Sequence, residues 1–173
     1  MEYRIKLVDS IQYHANNLIN SRKYSQAFEY AILCDALFEY YKSYPYAQTI
    51  NNNYLKGLSL ASFGRYAKGD SLLLVALDSS IKYYSENSLE VAKVGKVLGF
   101  TKHFLGNLKE SEKYLILTLG IYEKFEGKKS INYLKLYSNL CIHYKATQTF
   151  HYAEENFKRL IRLIEEVNMV SSH

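Results

Sequence analysis

The sequence repeats itself every 42 residues, four times and without a gap. Tyr24, Tyr66, Leu108 and Phe150 occupy one place in successive units. Nine residues before each stands a small side chain: Ala15, Gly57, Gly99 and Cys141. Three residues after each come Ala27, Gly69, Ser111 and Ala153; seven after come Ala31, Leu73, Leu115 and Phe157; ten after come Cys34, Ala76, Thr118 and Leu160. A period of this length marks a solenoid of stacked supersecondary units, each burying its apolar face on its neighbours. The repeat therefore fixes the architecture and points to a binding scaffold, without naming what is bound.

Within each unit the apolar spacing is three and four, the period of a helix rather than a strand. In the third unit Leu98, Phe100, Phe104 and Leu105 lead to Gly106-Asn107. Leu108, Tyr114, Leu115, Leu117, Leu119, Ile121, Tyr122 and Phe125 follow. The corresponding turns centre on Arg22-Lys23, Gly64-Arg65 and Gln148-Thr149, with glycine suiting a left-handed helix stop in two of the four. Further breaks fall near Ser43–Pro45, Ser85–Asn87 and Gly127–Lys129; Pro45 ends one helix and starts the next. Eight helices are predicted, over 2–21, 24–42, 46–63, 66–84, 88–105, 108–126, 129–147 and 150–168. Glycine in a helix interior costs ~1 kcal/mol against alanine, so Gly57 and Gly99 imply close helix approach. The residues at 24, 66, 108 and 150 are expected to wedge between the two helices of a unit.

With 173 residues, 48% apolar, one proline and eight glycines, the chain can form one domain with an ample core. No stretch approaches the ~18 uninterrupted apolar residues of a membrane span. The charged N-terminal run Met-Glu-Tyr-Arg-Ile-Lys does not read as a signal peptide, so a cytoplasmic location is expected. Cys34 and Cys141 cannot build a disulfide framework and read as small packing residues. The net charge of +5 favours acidic partners.

The pattern Gly57…Tyr66…Gly69…Leu73…Ala76, with its three counterparts, resembles the tetratricopeptide repeat across essentially the whole chain. The usual unit has 34 residues, an early Trp and a terminal Pro. This chain has no Trp, a single Pro45, and helices about one turn longer. Longer units of this kind are similar to those of kinesin light chains and of the Gram-positive peptide-pheromone receptors (the Rap, NprR and PlcR group). The resemblance implies an all-α, right-handed α-solenoid of four helix-turn-helix repeats, about 2–42, 46–84, 88–126 and 129–168, in a single domain over 1–173.

It also implies that the first helix of each unit lines a concave groove. By register the groove positions are Asp9, Asn51, Lys93 and Lys135; Gln12, Tyr54, Lys96 and Ser138; Asn16, Leu58, Phe100 and Ile142; and Ile19, Ala61, His103 and Lys145, with Asn139 beside them. The predicted peptide contacts are Asn16, Asn51, Tyr54, Leu58, Lys93, Lys96, Phe100, His103, Lys135, Asn139 and Lys145. Asn offers a donor and an acceptor to a peptide backbone. Lys offers charge to a carboxylate. Leu58, Phe100 and Ile142 would hold an anchor side chain, or else simply pack between helices, and the lysines would otherwise be a solvated face. The Asn51-Asn52-Asn53 run reads either as local caps and turns or as contacts to a peptide backbone.

The sequence holds no HExxH, CxxC, GxSxG or Gly-rich phosphate loop. The five histidines (14, 103, 143, 151 and 173) show no ligand spacing with Cys or Asp, and Glu154-Glu155 and Glu165-Glu166 read as helix surface. A non-enzymatic protein without cofactor or metal is expected, binding a peptide or a partner's extended tail. A pI near 9.0 and 18 tyrosines would permit base stacking on a basic face. Arg is scattered, however, and most Tyr fall in helix-seam registers, as Tyr41 and Tyr83 do with Phe125, so nucleic acid ranks below a peptide. The other alternative is a homo-oligomeric scaffold, such as a dimer, assembled through the apolar last helix, whose Phe157, Leu160, Ile161, Ile164 and Val167, followed by Met169 and Val170, pack inward on one face and leave some of the rest exposed.

Overall fold

In a computed structural model the chain forms α1 (Glu2–Asn20), α2 (Tyr24–Tyr41), α3 (Tyr46–Ser62), α4 (Tyr66–Tyr84), α5 (Leu89–Phe104), α6 (Leu108–Glu126), α7 (Ile131–Ala146) and α8 (Phe150–Val170). The structure describes residues 2–42 and 44–170, the side chain of Val170 excepted; Ser43 of the predicted second break, Val170 of the predicted oligomer face and His173 lie outside it. Among the described residues there is no strand, and no helix is long and apolar enough to cross a membrane. The helices fall into two compact units, residues 1–86 with α1 to α4 and residues 87–173 with α5 to α8.

The predicted ends are met to within one or two residues, and the shifts have local causes. At α5 and α7 a serine expected to be helical, Ser88 and Ser130 respectively, is a cap instead. Ser88 Oγ accepts from Val91 N at 3.3 Å, and Ser130 Oγ accepts from Tyr133 N at 3.1 Å. Such a cap satisfies one of the N–H groups a helix leaves open at its start.

All four inner turns share one geometry. Arg22, Gly64, Gly106 and Gln148 carry positive φ, between 58° and 78°. The following residue donates its N–H back five positions, Lys23 to Leu18 O and Arg65 to Leu60 O at 2.8 and 2.9 Å, Asn107 to Lys102 O and Thr149 to Tyr144 O at 2.9 and 3.0 Å. This double turn satisfies the last carbonyls of the helix and favours glycine at the left-handed position. Two of the four turns do without it.

Each helix pair crosses at its small residues. A Cβ placed on Gly57 would lie 2.7 Å from Leu73 Cγ, and one on Gly99 would lie 2.7 Å from Leu115 Cδ2. Leu73, Leu115, Ala15, Ala27, Cys141 and Ala153 are all buried at these crossings. The α3–α4 and α5–α6 pairs, which bring glycine to the contact, pack more extensively than α1–α2 and α7–α8. The residues at 24, 66, 108 and 150 do not all wedge as expected. They open their helices, and Leu108 and Phe150 are exposed, Phe150 by 63%. A first-turn side chain projects back past the helix end, which leaves these two partly open to solvent.

The seam expectation for the outer aromatics also needs correction. Tyr83 and Phe125 are exposed. They are covered locally instead, Tyr83 by Tyr84 and Tyr46 at 4.8 and 5.7 Å between centroids, Phe125 by Lys124 Nζ at 5.6 Å. Tyr41 is half-buried under the Arg4 guanidinium at 4.3 Å.

Candidate functional site

In residues 1–86 the predicted contact residues on α1 and α3 are largely occupied with one another. Gln12 is buried; its Nε2 donates to Gln48 O at 2.7 Å and its Oε1 accepts from Asn51 Nδ2 at 2.8 Å. Gln48 Nε2 donates to Asp9 Oδ1 at 3.0 Å, and Asn16 Nδ2 donates to Gln12 O one turn back at 2.9 Å. The Gln12, Gln48 and Asn51 amides bridge first helix to first helix, while Asn16 bonds back to its own helix, so one N–H of Asn16 and one of Asn51 are already engaged. Tyr54 is corrected outright: it is 7% exposed and belongs to the core. Leu58 is half-buried.

The Asn run lies inside α3, so Asn51 to Asn53 are neither caps nor turns. Asn52 is buried. Its Nδ2 donates to Ala31 O at 3.0 Å and to Asp35 Oδ1 at 2.7 Å, and Lys56 Nζ sits 2.6 Å from the other oxygen of Asp35. A buried amide group must find partners or cost ~1–3 kcal/mol, and α2 supplies them for Nδ2, while Oδ1 is buried without one.

Residues 87–173 are different. Lys93 and Lys96 of α5 are half-buried, and Lys135 of α7 is exposed within electrostatic reach of Lys96. Burial first, then Lys96, holds the Lys93 ammonium below its ordinary pKa, with Glu90 opposing; burial first, then Lys135, does the same to Lys96, with Glu126 opposing. Three like charges are thus brought together by two helices, a grouping that an incoming anion relieves. Lys145 stands exposed in the last turn of α7, ten residues and roughly 15 Å along the helix from Lys135, so it does not join them.

A pocket of about 130 Å³ opens between α5, α6 and α7. Phe100, His103 and Phe104, Leu115, and Asn139, Ile142 and His143 line it. Phe100, His103 and Asn139 of the predicted contacts meet here. Ile142 and Phe104 form an exposed rim, while Leu115 and His143 are buried.

His143 is the residue that the sequence reading missed. Its Nδ1 lies 3.1 Å from His103 Nδ1 and 3.3 Å from Ser111 Oγ. Burial, then His103, lowers its pKa from the ordinary 6.5, and Glu112 works against them. Of the cysteines, Cys34 is pushed up to about 12 by burial and then Asp35, and Cys141 to about 11 by burial, so both thiols are inert packing groups. Among the described residues no three His, Cys, Asp or Glu side chains converge as metal ligands.

No protein-family model matches the sequence, and no curated protein matches it. Solved structures do. BtubC (BKLC) from P. vanneervenii superposes with a TM-score of 0.78 at 18% identity over 94% of this chain and 64% of its own. The TPR-like repeats of a P. anserina kinesin light chain give 0.72 at 13% over 94% and 76%. A Rap protein complexed with competence and sporulation factor gives 0.79 at 18% over 95% and 44%. The chain thus spans less than two thirds of the length of the first and the last of these. At such identities the likeness speaks for architecture alone, and it agrees with the eight paired helices: the chain has the fold of the tetratricopeptide-like helical repeat proteins.

Proposed function

We propose that this chain is a non-enzymatic binding module for an extended peptide that presents a carboxylate, either an acidic side chain or a free C-terminus, to residues 87–173. The observation that carries the reading is the grouping of Lys93, Lys96 and Lys135, two of them half-buried, on the same unit as the pocket at Phe100 and Ile142. Partly desolvated lysines bind an anion more strongly than solvated ones, because less water has to be displaced and screening is weaker. The neighbouring pocket gives the same peptide an apolar anchor. A Rap protein of this fold is complexed with competence and sporulation factor, which supports a role as the regulatory part of a bacterial signalling protein.

The test is titration of a peptide library, with acidic, basic, free-acid and amidated members, against the wild type and the Lys93→Ala/Lys96→Ala variant. A charge-assisted contact is worth ~1.5–3 kcal/mol, so Lys96→Ala alone should weaken acidic binders by roughly tenfold or more. Binding should also weaken with added salt. Best binders that are basic, or a double variant that binds unchanged, would return the lysines to a solvated face.

A second reading is a homo-oligomeric scaffold. It is favoured by α8, where Ile161, Ile164 and Met169 are exposed on one helix. The two readings are compatible.

A further inference from the structure

The pocket in residues 87–173 has an unusual floor. His103 of α5 and His143 of α7 face each other Nδ1 to Nδ1 at 3.1 Å, their rings 5.2 Å apart and inclined at 63°. A hydrogen bond between two such nitrogens needs one proton, not none and not two. Ser111 Oγ donates its own hydrogen to Gly99 O at 2.8 Å, so towards His143 it can only accept. The arrangement that satisfies all three groups puts the proton on His143 Nδ1, shared between Ser111 Oγ and His103 Nδ1. Both rings are neutral when His103 carries its own proton on Nε2 and His143 Nε2 carries none. The other titratable groups around His143 are Glu112 and Lys109 of α6, Tyr144 of α7 and Tyr152 of α8, which line its far side.

We infer that this pocket is a socket for one uncharged, apolar side chain of leucine to phenylalanine size, seated over the neutral histidine pair and released when the pair becomes cationic. The inference rests on the peptide-binding reading above and names the anchor within it. Size sets the upper limit: about 130 Å³ is close to the ~150 Å³ apolar cavity that admits a benzene ring. Phe100, Phe104, Leu115 and Ile142 make the walls apolar, so a charged guest would lose its hydration without repayment.

Proton coupling follows from the floor. An apolar guest shuts water away from the rings and disfavours an imidazolium beneath it. One further proton makes one ring of the pair an imidazolium beneath the guest, and on His103 Nδ1 it would also set two N–H groups 3.1 Å apart and break the hydrogen bond. Burial and the facing His103 hold the His143 ring below its ordinary pKa, so this ring is neutral at neutral pH, and a proton gained as pH falls removes competence. If only the neutral pair accepts a guest, apparent affinity falls about tenfold for each pH unit below the pair's midpoint. By linkage, the guest lowers the proton affinity of the pair by the same factor.

The experiment uses capped single amino acids on the whole chain, which test the socket without a carboxylate or an extended backbone. N-acetyl-leucinamide and N-acetyl-phenylalaninamide are titrated from about pH 8 to about pH 5, following the histidine ring signals by NMR. N-acetyl-lysinamide is the control. Expected are perturbations at His103 and His143 with the apolar probes only, affinity falling about tenfold per pH unit on the acid side, and histidine midpoints moving down when probe is present. Ile142→Trp, which fills the socket from its exposed rim, should abolish the perturbations while circular dichroism stays that of the wild type. No perturbation, a pH-independent one, equal binding of the lysine probe, or persistence in Ile142→Trp overturns the proposal. If acidic peptides bind and lose affinity in Lys93→Ala/Lys96→Ala while the capped probes never reach the histidines, the socket fails and the peptide reading stands; the converse pattern separates them the other way.

Discussion

Replacing Gly99 by alanine sets two opposed effects against each other at one atom. Alanine in a helix interior gains ~1 kcal/mol over glycine. The new Cβ would, however, lie 2.7 and 2.8 Å from Cδ2 and Cγ of Leu115, a side chain 2% exposed that must shift to admit it. Overpacking of this kind costs ~1–3 kcal/mol. The net expectation is a loss of about 1 kcal/mol, or a fall in Tm of roughly 2–4 °C for a chain of this size. Gly120, on α6, is the internal control, since a Cβ there meets nothing within 4 Å. Gly120→Ala keeps the propensity gain and should raise Tm by roughly 2–4 °C. Far-UV circular dichroism melts of the two variants should therefore move in opposite directions. Pairing Gly99→Ala with Leu115→Ala should cost less than the sum of the single changes, with a coupling of ~0.5–3 kcal/mol. Should Gly99→Ala stabilise as much as Gly120→Ala, close approach is not why glycine occupies this position.

The two turns without glycine offer a gain. Arg22 (φ 58°) and Gln148 (φ 60°) occupy the place that Gly64 and Gly106 fill elsewhere. Relief of ~1–2 kcal/mol of left-handed strain, less ~0.4–1 kcal/mol for the looser unfolded chain, leaves Arg22→Gly and Gln148→Gly each more stable by about 0.5–1 kcal/mol, read as an upward shift in Tm. On α8, Ile164→Asp places a charge on the exposed apolar face; light scattering should show a dimer of the wild type falling to monomer, and a wild type monomeric at high concentration discards the scaffold reading.

The fold was legible because its determinants are local or periodic. A small residue nine before and another three after the start of every second helix is a statement about two helices touching, and the distances at Gly57 and Gly99 give its cause. The turns at Arg22 and Gln148 were found by register, not residue type; their backbone follows the glycine turns although the side chains do not favour it. Ser88 and Ser130 show where such reading stops short, since a cap and a first helical residue differ by one hydrogen bond rather than by pattern. Tyr83 and Phe125 show another limit: an aromatic in seam register is not buried unless a neighbouring helix reaches it.

The candidate site was legible only in part, for a reason that lies in the period itself. Residues 42 apart share a helix face, so Lys93 and Lys135 could be paired from the sequence, with Lys96 one turn on. The same register set Asn51 and Gln12 on the predicted face, but it cannot say that they would bond each other. His103 and His143 escape it altogether. They are 40 residues apart, two short of the period, and two residues turn a helix by about 200°. The register partner of His103 is Lys145, exposed; His143 points the other way, into the contact of α7 with its neighbours, where it is 3% exposed. A period reports which side chains look the same way from equivalent helices. The histidine pair is made by two that look towards each other, and that relation appears only once the helices are placed.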